Sequence, residues 1–70
     1  MARFYEITCG DVQVFNGRCN LETARAKAFD AMLRHANPAI IWRAWHPKVS
    51  RAKVAFERVT LDGRRLMLTS

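Results

Sequence analysis

Glycine, proline and cysteine are scarce in this chain: three, two and two among 70 residues. With so few, there is no glycine- or proline-rich linker. The glycines, at 10, 17 and 63, are too scattered for a loop that cradles phosphate. No apolar run approaches the ~18–20 residues that a membrane helix needs; the longest is Ala39-Ile40-Ile41-Trp42. The opening Met-Ala-Arg-Phe-Tyr-Glu lacks the apolar core of a signal peptide. A cytoplasmic location follows as the expectation, with no membrane contact. In that reducing compartment Cys9 and Cys19 read as free thiols, a short disulfide loop between them being the alternative. No internal repeat is present.

What is present is enough for one domain. Half of the residues are apolar and 26% are charged, a balance that argues against disorder. A core of this size supplies roughly 3–5 kcal/mol, so a partner or second copy is a natural source of further stability. Twelve basic residues face six acidic ones, giving a net charge of +6, and nine of the twelve are arginine. The surplus lies wholly in the C-terminal part. Residues 1–30 balance Arg3, Arg18, Arg25 and Lys27 against Glu6, Asp11, Glu22 and Asp30, whereas residues 31–70 hold eight basic residues and only Glu57 and Asp62. Arginine presents a planar fork of donors that suits phosphate and carboxylate. The surplus reads either as a solvated surface or as a patch for a polyanion or acidic protein.

Periodicity predicts the elements. Tyr5, Ile7 and Cys9 alternate with Phe4, Glu6 and Thr8, a strand over 3–9. Gly10-Asp11 breaks it, and residues 12–16 form a second strand ended by an Asn16-Gly17 turn. Asn20 is placed to cap a helix over 21–36, with Glu22 in its first turn. Leu21, Ala24, Ala28, Met32 and Ala36 share a stripe flanked by Phe29 and Leu33. Asp30 and Arg34 can pair on the opposite side. Arg25 falls within the stripe, at its rim beside Glu22 or snorkelling outward. Asn37-Pro38 ends the helix, Asn37 being the residue suited to the left-handed conformation. Strands follow over 40–46, 52–61 and 64–69. The stretch 52–58 also fits a helix, but Asp62-Gly63, a type I′ turn signal, favours a hairpin. The fold class is α+β, ββαβββ, with a sheet of four to five antiparallel strands packed on one central helix.

Such a sheet has one face without a helix. If Ile40 and Trp42 meet the helix, then Ile41, Arg43 and Trp45 face outward, mixing aromatic and basic groups that stack bases, hold phosphates or anchor a protein. The alternative has Trp45 in the core and Trp42 as the exposed ring. Lys48, Arg51, Lys53, Arg58, Arg64 and Arg65 form a basic loop and hairpin, with Arg64-Arg65 at a tight tip. They suit a phosphate backbone or an acidic groove, or simply protect an edge strand from aggregation. Cys9, Cys19, His35 and His46 have no close CxxC or HxxxH pairing, so neither a metal site nor a cysteine nucleophile is expected. No catalytic residue and no cofactor are expected.

The stretch Asn20-Leu21-Glu22-Thr23-Ala24-Arg25-Ala26-Lys27-Ala28, behind a short hairpin, resembles the sheet-plus-helix entry of AP2-type and integrase arm-type DNA-binding domains. Those have three strands before the helix where this chain has two, so their base-contacting residues do not carry over. In size and element order the whole chain resembles small phage-encoded anti-CRISPR proteins. That resemblance implies a non-catalytic inhibitor that occupies the nucleic-acid-binding surface of a host complex. The expected partner is nucleic acid or a host nucleoprotein complex. Direct DNA or RNA binding is the second reading, and a homodimer or other assembly through the open sheet face is the third.

Overall fold

The alternation read from the sequence builds the sheet seen in the computed structural model, whose described residues are 2–44 and 53–68, with Lys53 described by its backbone only. Five strands, β1 (Arg3–Cys9), β2 (Val12–Cys19), β3 (Ala39–Ala44), β4 (Lys53–Val59) and β5 (Arg65–Met67), surround one helix, α1 (Leu21–His35), in chain order ββαβββ. All pairings are antiparallel, and the sheet order is β2-β1-β3-β4-β5. The expected α+β architecture is therefore present. No described helix is long and apolar enough to cross a membrane.

The helix starts where its cap dictates. The Asn20 side chain accepts the Thr23 N–H at 2.8 Å, satisfying one of the amides that no helical carbonyl can reach. Ala24, Ala28, Ala31 and Met32 are buried. Three of these four are alanine, so the helix lies close over the sheet centre, and Met32 fills the remaining gap. Beneath it lie Tyr5, Ile7, Ala39, Ile41 and Val59, with Val14, Phe15, Cys19 and Leu21 packed around them. Ile7 and Ile41 are fully buried, and each such side chain contributes about 1.5–3 kcal/mol. The expected i,i+4 pair forms on the outer side, with Arg34 Nε 3.2 Å from Asp30 Oδ2.

Four local expectations are corrected. First, the helix ends through Ala36, not Asn37. Ala36 takes the left-handed conformation (φ 53°, ψ 38°), and its N–H donates to the Met32 carbonyl at 2.8 Å. Pro38 restricts the preceding Asn37 to extended backbone, so the reversal falls one residue earlier. Ala36 is thus exposed rather than part of the buried stripe. Second, Asn16-Gly17 is no turn, because β2 runs on to Cys19. Gly17 sits under the Phe15 ring, where an added Cβ would stand 3.2 Å from Phe15 Cζ. The reversal before β2 uses Gly10 instead, at φ 62°. Third, the Asp62-Gly63 turn is not type I′. Among the described loop residues only Gly63 has positive φ, at 89°, and its N–H donates to the Thr60 carbonyl. This is a type I turn closed by a left-handed glycine, which leaves three residues in the loop. Fourth, β4 stops at Val59, so Thr60 and Leu61 lie beyond the strand.

Candidate nucleic-acid interface

Register determines what each face of the sheet carries. On the covered face the cross-strand rows read Gly17, Tyr5, Arg43, Val54; then Phe15, Ile7, Ile41, Glu57, Met67; then Val12, Cys9, Ala39, Val59, Arg65. On the open face they read Arg18, Phe4, Ala44, Lys53; then Asn16, Glu6, Trp42, Ala55; then Gln13, Thr8, Ile40, Arg58, Leu66. A register irregularity between Ile41 and Trp42 leaves Phe56 as the extra residue on β4. Its ring meets Tyr5 at 6.4 Å between centroids. Without that bulge Phe56 would oppose Trp42 on the open face; with it the small Ala55 does.

The open face thus combines rings and cations. Trp42 Nε1 donates to Thr8 Oγ1 at 2.9 Å, which satisfies the indole N–H and fixes the ring while leaving the residue only half-buried. The Arg18 guanidinium lies 5.8 Å from the centre of the Phe4 ring, a stacked cation–π geometry. Arg58 is exposed between Ile40 and Leu66. The one carboxylate in these rows, Glu6, is only 5% exposed, so the exposed charges of the row residues are positive.

This arrangement reverses the expected outward row. Ile41 is buried under α1, and Arg43, opposite Tyr5 and Val54, shares its face. Trp42 is the ring on the open side. The reason is packing: Ile41 pairs with Ile7 at the sheet centre, where the alanine side of the helix presses. Arg64 and Arg65 do not act together. Arg64 stands at the loop with its side chain 78% exposed, its Nε 3.8 Å from Asp62 Oδ2. Arg65 points to the covered side, its Nε 3.9 Å from Glu57 Oε2. Of the remaining candidates, Arg58 and the backbone of Lys53 lie on the open face, while Trp45, Lys48 and Arg51 lie outside the described residues. Arg18, Phe4 and Trp42 complete the face. The signal for the first two was the strand alternation itself, once β2 is extended beyond Gly17.

The covered face handles its charge differently. Arg25 does not pair with Glu22 or snorkel; it clamps Glu57, which is 1% exposed, with Nε–Oε2 at 2.9 Å and Nη2–Oε1 at 2.7 Å. The hydrogen bonds to Glu57 push the Arg25 guanidinium pKa above its ordinary value. A buried carboxylate held by a forked donor is a structural device that locks α1 onto β4. The two thiols are free. Cys9 is buried, with its Sγ 3.1 Å from the Asn37 carbonyl oxygen. Burial pushes the Cys19 thiol pKa up, against the pull of Lys27, the wrong direction for an activated nucleophile. Among the described residues no group of three histidine, cysteine, aspartate or glutamate side chains is placed to hold a metal ion.

No protein-family model, curated protein or solved structure matches the chain. The functional reading therefore rests on its own residues.

Proposed function

We propose that this chain is a non-enzymatic, cytoplasmic nucleic-acid-binding module that receives single strands on the open face of its sheet. The observation that supports this reading is the open face itself, where Phe4 and Trp42 are bracketed by Arg18 and Arg58 and the only row carboxylate is withdrawn from solvent. Single strands expose their bases, which stack on aromatic rings on a sheet, while arginines follow the phosphates. The net charge of +6 supports the same partner by drawing a polyanion towards the protein. A second reading, after the resemblance to anti-CRISPR proteins, has the protein occupy the strand-binding surface of a host complex and so block it.

Fluorescence anisotropy with labelled single-stranded and duplex oligonucleotides, at about 50 and 200 mM salt, tests the reading. Single strands should bind more tightly than duplex, with a log–log salt slope of about −0.7 per phosphate contacted. No binding to either at the lower salt would overturn it. The basic surface would then belong to a protein contact, and nuclease-interference assays with host complexes would be the next measurement.

A further inference from the structure

The two edges of the sheet differ in length and in charge. β5 is three residues long and begins at Arg65, with Arg64 just before it. It offers few free backbone groups, and two copies meeting there would crowd their arginines. β2 runs for eight residues, contains no proline and has Arg18 as its one charged residue. It is paired with β1 alone, which leaves the backbone groups of its outer edge without a strand partner. This edge also lies in the charge-balanced part of the chain, where residues 1–30 hold four basic and four acidic residues. At the start of β2, Val12 is 47% exposed although it is apolar.

We infer that the outer edge of β2 docks a second copy of this chain, the two β2 strands running antiparallel about a two-fold axis between Val14 and Phe15. In such a pair, residues opposite one another lie on the same face. A regular strand cannot achieve this about an axis that falls between two residues. β2 is not regular: Ile7 pairs with Phe15 and Thr8 with Gln13, so Val14 is an extra residue and the alternation shifts phase there. A bulge ordinarily protects an edge by bending it; on the axis the two bulges face each other, and both flanks stay in phase. Val12 of one copy then comes opposite Gly17 of the other, both on the covered face. Gly17 has no side chain to fill that place, and the Phe15 ring that lies against it gives Val12 of the second copy an apolar surface. Asp11, by alternation on the open face, comes opposite Arg18. This pair of opposite charges forms twice by symmetry and selects the register. A guanidinium has five donors, so Arg18 can also meet a phosphate. The joined sheet leaves Trp42 and Arg58 uncovered, and a core this small gains stability from the added contacts.

Sedimentation equilibrium without nucleic acid, up to about 1 mM chain, should show a mass rising from 8.1 kDa towards twice that value. A mass that stays at the monomer value overturns the interface and leaves the nucleic-acid reading standing. Asp11→Arg and Arg18→Asp each set like charges opposite one another twice, and each alone should raise the dissociation constant about tenfold. An equimolar mixture of the two variants should restore dimerisation, because both pairs are then complementary. Dimers that ignore the variants, or that the mixture does not restore, form through another surface and overturn this one. Circular dichroism confirms that each variant folds. In the native chain, amide hydrogen exchange along β2 should slow as concentration rises, and exchange independent of concentration overturns the edge without recourse to any variant.

Discussion

The two faces of one sheet treat charge in opposite ways. Under the helix, Glu57 is buried and matched by a forked arginine, with a second arginine 3.9 Å away. On the other side, Arg18 lies over a ring and Arg58 stands in solvent between apolar neighbours. A charge on the covered face is structural, because an unmatched ion there would be severely destabilising. The arginines of the open face, Arg18 and Arg58, are exposed and therefore available to a ligand. The same contrast holds for apolar groups: Ile41 is part of the core, whereas its neighbour Ile40 is partly exposed one residue away.

That contrast is sharpest at those two neighbours. Ile41→Ala should cost about 3 kcal/mol, most of what a core this size supplies. Ile40→Ala should cost less than about 1.5 kcal/mol, since its burial is partial. Urea denaturation of both variants measures this, and similar midpoints would mean that the faces are assigned wrongly. Next comes Arg25→Met, with an expected loss of about 2–3 kcal/mol. This lies at or below the low end for breaking a buried pair, because Arg65 remains near Glu57. Arg58→Met should stay within about 0.5 kcal/mol, and a comparable loss there would give Arg58 a structural role.

Binding should show the reverse order. Trp42→Ala should weaken single-strand affinity by about 1–3 kcal/mol, while Phe29→Ala, an exposed ring on the helix, should leave it unaltered. Equal losses would remove the distinction between the faces. The smallest effect belongs to the β4–β5 loop. The Thr60 hydroxyl and then the Arg64 N–H hold the Asp62 carboxyl below its ordinary pKa. Its contribution to stability is therefore complete above the ordinary aspartate range and is lost as pH falls through the lowered value. An NMR titration should find a midpoint below that range in the native chain, and Thr60→Val should move it upward.

Much of the architecture is legible in local signals. The alternation over Phe4–Cys9, the Asn20 cap, the alanine-rich helix and the Asp62-Gly63 hairpin each act over a few residues, and each marks an element in the structure. The misread positions depended on contacts that residue type alone does not show. Asn16-Gly17 looks like a turn until the Phe15 ring folds over Gly17. The helix end shifted to Ala36 because of a proline two positions on. Arg25 looks misplaced in an apolar stripe because Glu57 lies 32 residues further along the chain. The orientation of β3 was ambiguous because Ile40 and Ile41 are the same residue type, so alternation could not choose between them.

The sequence by itself determined the element order, the helix start, the antiparallel α+β class and the surplus of arginine, because these follow from periodicity, capping and composition within short windows. Tertiary structure alone decided which ring faces outward and which arginine is bound to a buried carboxylate. Those outcomes depend on strand register and on a bulge opposite Trp42. Both are set by contacts between segments far apart in the chain, where side-chain volume and the cost of an unpaired buried charge select among arrangements that look equivalent locally.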